Sequence, residues 1–424
     1  MIAGVVGPRG DKPVASGRMG MIKTMRSVIR FRSFERDPDL RRMQMAANVN
    51  DLRAIAQRRL PRGVFDYVDG GAEDEVTYHR NERDFHNWEF VPTVMRDVSK
   101  IDTSSEILGR RVPFPLILAP TGFTRIVDPP GELSVARAAA ERNIPYALST
   151  LSTRSIEEVA EAGAGGRNWF QVYVWKDRDL VRNMIERAKK SGYEVLCITV
   201  DLVVPGRRER DVRNGMTLPP KLGLGMMVEG VRKPGWTWRF LNADPITFSN
   251  IVGFHDEDGS TAVALSTLVN DQFDASLSWA DIEWFRSLWE GPIIIKGIQS
   301  VPDARRAVDC GVQAICVSNH GGRQLEGAPT AIELIEPIAD EVGDEVEIIC
   351  DGGVRRGADI IKAIALGADS VMVGRPYLYG LGAGGFKGVE WVLNFFEEGM
   401  RRSMALTGVR SVAEITRDLV RRRP

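Results

Sequence analysis

Residues 314–324 read Ala-Ile-Cys-Val-Ser-Asn-His-Gly-Gly-Arg-Gln, an apolar run of strand length that stops in a cluster of polar groups: Ser318, Asn319, His320 and Arg323. His320 is one of four histidines, and an imidazole reaches both its neutral and its charged form near pH 7, which suits a general base. Arg323 offers a planar fork that matches a carboxylate. A base beside an anion clamp suggests a small acid attacked at the neighbouring carbon. The competing reading is a turn with a hydrogen-bonded structural histidine, which the two glycines fit equally well.

Other residues could join this chemistry. Asp201 closes an apolar run and could pair with His320, stabilising the imidazolium formed when the histidine removes a proton. Lys296, in Ile-Ile-Ile-Lys-Gly, would be a buried ammonium in need of an anionic partner. A salt bridge would satisfy it, and so would a flavin ring that becomes anionic on reduction. The turn Asp351-Gly352-Gly353-Val354-Arg355-Arg356-Gly357, with Gly374-Arg375, suggests a phosphate site. Glycines admit backbone N–H groups to an anion, and a following helix start and an arginine add positive charge. Neither a GxGxxG after a first strand nor a P-loop is present.

Positioning these groups requires a repeating scaffold. Eight apolar runs of strand length, at 113–120, 145–150, 168–174, 194–201, 292–297, 314–319, 347–353 and 370–375, alternate with helix-length amphipathic segments. Such strands imply a parallel sheet covered on both faces, and eight units point to an α/β fold of the closed (β/α)₈ barrel type. An open doubly wound sheet is the alternative. Polar residues stand at the carboxyl end of every run: Thr121, Ser149, Gln171 and Tyr173, Thr199 and Asp201, Lys296, Ser318 to His320, Asp351 and Arg375. They would converge on the face where barrels place their sites.

Two segments break the rhythm. Residues 1–48 read as a flexible basic arm; residues 1–45 carry ten Lys/Arg against four Asp/Glu, a surplus of six that leaves −7 for the rest of a chain of net charge −1. The barrel would then occupy 49–420, with a helix starting after a cap at Asn50-Asp51 and another element after Pro61. Residues 202–291 form an insertion of the length expected for a lid or binding segment, closing in a helix at 279–290. Within it, Trp236, Trp238 and Phe240 alternate with Lys221, Arg232, Lys233 and Arg239. This pattern fits packing on the barrel or contact with a membrane surface. Four cysteines lack metal spacing, and no metal site is expected. No run spans a membrane, no global field favours nucleic acid, and no signal-peptide core stands at the N-terminus. The expected setting is cytoplasmic, with peripheral contact at the inner membrane face as an extension.

Seven motifs occur together: Phe-Asp-Tyr-Val-Asp-Gly-Gly-Ala-Glu-Asp at 65–74, Ala-Pro-Thr-Gly at 119–122, Phe-Gln-Val-Tyr at 170–173, Thr-Val-Asp at 199–201, Gly-Arg-Arg-Glu at 206–209, Ser-Asn-His-Gly-Gly-Arg-Gln at 318–324, and Asp-Gly-Gly-Val-Arg-Arg-Gly at 351–357. From about Val49 to Val420 the chain resembles the FMN-dependent L-2-hydroxy acid oxidase and dehydrogenase family, which includes glycolate oxidase, flavin L-lactate dehydrogenases and mandelate dehydrogenase. The resemblance implies FMN as cofactor, a homotetramer, and oxidation of a 2-hydroxy acid to the 2-oxo acid. Electrons would pass to a quinone, oxygen or a redox protein. It implies His320 as base with Asp201 its partner, Tyr67, Arg208 and Arg323 on the substrate carboxylate, and Tyr173 on the substrate hydroxyl. Pro120, Thr121, Gly122, Ser149, Gln171 and Thr199 would touch the flavin ring, and Lys296 and Ser318 the ring or ribityl chain. Asp351, Gly352, Gly353, Val354, Arg355, Gly374 and Arg375 would hold the ribityl and phosphate groups. Gly122, where many oxidases of the family have Ala, and Leu151, where glycolate oxidase has a large aromatic, look most like bacterial flavin L-lactate dehydrogenases. Two alternatives are an oxidase producing hydrogen peroxide and a flavin- or phosphate-binding barrel without redox turnover.

Overall fold

The computed structural model describes residues 34–216, 224–251 and 272–424; the first thirty-three residues of the expected arm, Lys221 and residues 252–271 of the insertion lie outside the described residues. Each of the eight apolar runs contains a strand: β1 (Leu116–Leu118), β2 (Pro145–Ser149), β3 (Arg167–Tyr173), β4 (Val195–Thr199), β5 (Ile293–Ile298), β6 (Ala314–Ser318), β7 (Glu347–Asp351) and β8 (Ser370–Val373). They close a barrel in the order β7-β8-β1-β2-β3-β4-β5-β6. The parallel pairing of β8 with β1, Val371 opposite Leu116 and Val373 opposite Leu118, excludes the open sheet.

Successive strand residues point to opposite faces, and in this barrel both faces are apolar. Ile117, Ala147, Trp169, Cys197, Ile294, Cys316, Ile349 and Met372 fill the interior. Leu116, Leu118, Phe170, Leu196, Ile295, Ile315 and Ile348 pack outward against the helices. A two-stranded hairpin, Ser105–Ile107 with Arg110–Val112, contributes Ile107 and Val112 to the interior cluster. Its two-residue turn, Leu108 and Gly109 at φ +49° and +69°, has the twist that tight hairpins favour.

The helix Val49–Arg59 is capped by Asn48, whose side chain accepts from Asp51 N at 3.0 Å; the sequence reading placed that cap two residues too late. Asp51 instead receives Ala47 N. After Pro61 the helix Arg62–Asp69 ends at Gly70. The arm is also shorter than expected: Asp37 caps a helix over Pro38–Met43, and Met43 is buried beside Gly384, where glycine leaves the room its sulfur needs. Within the insertion lie helices Glu209–Asn214, Leu224–Arg232, Pro234–Leu241 and Asp281–Leu288. The final helix, Arg375–Thr407, breaks at Gly384–Gly385 and begins at the turn after β8.

Candidate active site

β6 ends at Ser318, and the chain then turns through three consecutive left-handed residues, His320, Gly321 and Gly322, at φ +59°, +65° and +72°. A side chain in that conformation costs about 1–2 kcal/mol, so His320 is held there by its surroundings. Its Nδ1 lies 2.8 Å from Asp201 Oδ1, which leaves Nε2 for the cavity His320 lines. Asp201 is buried beneath it. Burial pushes its carboxyl up, but His320, through charge and hydrogen bond, and Lys296 outweigh that and hold it below the usual range. Gly297, at φ +111°, makes room for this carboxylate: a Cβ there would lie 2.7 Å from Asp201 Cβ.

Lys296, at the end of β5, finds its anion in Asp351, 2.7 Å away. Burial alone would discharge the ammonium; Asp351 outweighs it and raises the pKa. Ser318, expected to touch the flavin ring or ribityl chain, is fully buried and connects its neighbours. Its hydroxyl donates to Asp351 at 2.7 Å and accepts from Lys296 Nζ at 2.8 Å and His320 N at 3.0 Å, so its capacity is spent within the protein. Asn319 likewise bonds Asn81 and Pro329 O.

Tyr67 lies beneath two guanidiniums, with Arg323 5.4 Å and Arg208 5.9 Å from its ring centre. Arg208 is paired with Asp211 at 2.7 Å. Among the described residues Arg323 donates only to the carbonyls of Tyr67 and Gly70, both at 2.9 Å. Burial, then neighbouring Arg208 and Arg375, push its pKa down to about 10; it is a cation short of an anion. Burial raises the phenols of Tyr67 and Tyr173, so both stay neutral. Tyr173 also receives the edge of Phe273 from the insertion, ring centres 5.6 Å apart.

Pro120, Thr121, Gly122 and Thr199 line the same cavity, with Leu151 opposite Gly122. Thr121 is held by Tyr377 OH at 2.7 Å. Ser149 and Gln171 are buried and joined at 3.2 Å, while among the described residues Gln171 Nε2 and Thr199 Oγ1 are buried without a hydrogen-bond partner. Gly352, Gly353, Val354, Arg355, Gly374 and Arg375 continue the wall. Arg355 is compensated by Glu82 at 2.7 Å. Arg375 donates to Val68 O, Gly321 O and Gly70 O at 3.2, 2.8 and 2.8 Å. Asp211 and Phe273 escaped the sequence reading, and Gly297 and Gly70 were quoted there without a role. Gly297 follows Lys296 directly, and an isolated glycine within a strand pattern is a signal of close approach.

A family model described as FMN-dependent dehydrogenase matches residues 56–422. An L-lactate dehydrogenase of Ectopseudomonas mendocina is 43% identical over 371 residues, 87% of this chain and 97% of its own. One of Xanthomonas campestris is 43% identical over 374 residues, 88% and 96% of the two chains. Among solved structures, a monotopic membrane protein, (S)-mandelate dehydrogenase, superposes with TM-score 0.86 at 36% identity, covering 90% of this chain and all of that one.

Proposed function

The chain belongs to the FMN-dependent dehydrogenase family, and from that membership we propose that it oxidises L-lactate to the 2-oxo acid, using the residues of this cavity. It is an FMN-dependent oxidoreductase of L-2-hydroxy acids. The cavity fits the cofactor: the orphaned Gln171 Nε2 and Thr199 Oγ1 ask for partners on a polar planar ring. When bound, FMN supplies the two-electron acceptor. Pro120, Thr121, Gly122, Gln171, Thr199 and Lys296 would hold its ring, with Ser149 supporting Gln171 from behind. Asp351, Gly352, Gly353, Val354, Arg355, Gly374 and Arg375 would hold its ribityl and phosphate end.

The substrate carboxylate meets Arg323 and Arg208, bidentate geometry fixing its orientation, and Tyr67 packs beneath both. The neutral Tyr173 phenol donates to the oxygen on C2. His320 Nε2 takes the substrate proton, and Asp201 balances the imidazolium, a charge that appears only as reaction proceeds. The observation that carries this reading is Arg323: half-buried in the cavity that His320 lines and, among the described residues, hydrogen-bonded only to carbonyls, it calls for an external carboxylate. Anaerobic addition of L-lactate should bleach the yellow holoprotein, and faster than glycolate, L-mandelate or longer 2-hydroxy acids. Failure of all four to bleach it would overturn the reading.

For the acceptor we propose a quinone reached at a membrane surface. Trp236 stacks on Phe240 and donates to Ile126 O, fixing the helix Pro234–Leu241 on the barrel. The other side leaves Trp238 and Leu241 about three-quarters exposed, with Arg232 exposed just before the helix. No helix among the described residues is long and apolar enough to cross a membrane. Reduced enzyme should be reoxidised quickly by a soluble quinone and slowly by air; the reverse would make it an oxidase. The tetramer rests on family resemblance alone and is tested by light scattering.

A further inference from the structure

Two arginines with separate duties are held by one short stretch of backbone. Gly70 O accepts from Arg323 Nη1 at 2.9 Å and from Arg375 Nη2 at 2.8 Å. Tyr67 O takes a second bond from Arg323, and Val68 O one from Arg375 Nε. These carbonyls belong to the last turn and cap of the helix Arg62–Asp69. There carbonyls lack helical partners and carry the negative end of the helix dipole. A carbonyl shared by two mutually repelling cations sets their positions only if it cannot itself move.

Immobility falls to Asp69. Its side chain is fully buried and accepts from Arg53 Nε and Nη2 at 2.5 and 2.7 Å, Arg210 Nη1 at 2.9 Å and Tyr379 OH at 2.7 Å. These bonds tie the end of the helix to three others: Val49–Arg59, Glu209–Asn214, and the final helix one turn beyond Arg375. Arg210 also pairs with Glu75, which accepts from Gly71 N at 2.8 Å. Although burial opposes it, the bonds from Arg53 and Tyr379 hold the Asp69 carboxyl below its usual range. Arg53, Asp69, Arg210 and Tyr379 all stand outside the cavity wall.

We propose that Asp69 is a positioning residue for substrate and cofactor together, because it fixes the carbonyls of residues 67, 68 and 70 that hold Arg323 and Arg375. The inference rests on the reading above that Arg323 faces the substrate carboxylate and Arg375 the cofactor phosphate. Its test compares wild-type holoenzyme with Asp69→Asn, which keeps the shape and removes the charge. Losing hydrogen bonds to a charged group is worth on the order of a tenfold change in affinity. KM for L-lactate should therefore rise about tenfold, and FMN release on dilution, followed by the fluorescence of free FMN, should accelerate by a similar factor. With FMN in excess, kcat should stay within about threefold of wild type, since the His320–Asp201 pair is untouched. Tyr379→Phe removes one of the four bonds and should move both quantities the same way by less; it carries the test if Asp69→Asn does not fold. A folded variant in which neither quantity moves, or only one, overturns the proposal. Wild-type protein that fails to bleach with any 2-hydroxy acid overturns the underlying reading instead.

Discussion

Replacing Gly297 by alanine tests whether the His320–Asp201 pair is the working base. Gly297 is at φ +111°, and an added Cβ would stand 2.7 Å from Asp201 Cβ and 2.9 Å from its Cγ and backbone N. Strain in that backbone region is of order 1–3 kcal/mol. Opening the contact to about 3.5 Å shifts the Asp201 side chain by about 0.8 Å, enough to break a 2.8 Å hydrogen bond to His320 Nδ1. A misplacement near 1 Å costs on the order of 10²-fold in rate. Arg323 and Arg208 are not displaced, so KM for L-lactate should change little. The assay is stopped-flow bleaching at saturating L-lactate without oxygen, with FMN content and thermal melting measured on the same sample. A bleaching rate within about threefold of wild type, in protein that holds its FMN, would refute the claim that Asp201 must be oriented by the space at Gly297.

His320→Ala should abolish bleaching while FMN stays bound; loss of the flavin would contradict its assignment as base. Arg323→Ala should raise KM for L-lactate by about 10- to 150-fold, the value of a charge-assisted hydrogen bond of about 1.5–3 kcal/mol, with a smaller effect on kcat; steady-state kinetics across 2-hydroxy acids reads both. Gly122→Ala would bring a Cβ to 3.0 Å from Leu151 Cβ and 3.2 Å from Leu151 O, so bleaching should slow severalfold, and Leu151→Ala in the same chain, which keeps both of those atoms, should not restore it. Asp201, with a depressed folded pKa, contributes stability above the unfolded value of about 3.9 and loses it as pH falls through the lower folded value. Asp201→Asn should therefore lower the melting temperature at pH 7, and by progressively less as pH falls below about 3.9.

The barrel was legible because its signal is redundant: every strand carries apolar residues on both faces and a polar group at its carboxyl end. Site residues on those ends, such as Lys296, Asp201 and His320, were legible for the same reason. What could not be read was how side chains share their bonds. Ser318 has the right position for a ligand contact but spends its hydroxyl on Asp351, Lys296 and His320 N. That depends on a β5–β6–β7 register no local pattern encodes. Asp69 and Gly70 sat in a motif quoted for other reasons. Gly70 matters for its contacts with Arg323 and Arg375, more than two hundred and fifty residues away, and Asp69 for its bonds to Arg53, Arg210 and Tyr379. The packing of Met43 was hidden similarly, since it depends on the distant Gly384.

The charges around the cavity make the case for the two ligands independently of the motifs. Among the described residues, Lys296 is paired with Asp351, Arg208 with Asp211, Arg355 with Glu82 and His320 with Asp201. Among the same residues Arg323 and Arg375 form no salt bridge and lean on backbone carbonyls and on the rings of Tyr67 and Tyr78. A carbonyl is a partial charge, and a half-buried cation held without an anion is left undercompensated. Two such cations in one cavity call for two anionic groups from outside, one near His320 and one at the start of the final helix, where the dipole also favours an anion. A hydroxy acid carries one carboxylate and FMN one phosphate. Each should stabilise the folded protein by mass action as it binds, and neither can be replaced by a neutral analogue without leaving its arginine uncompensated.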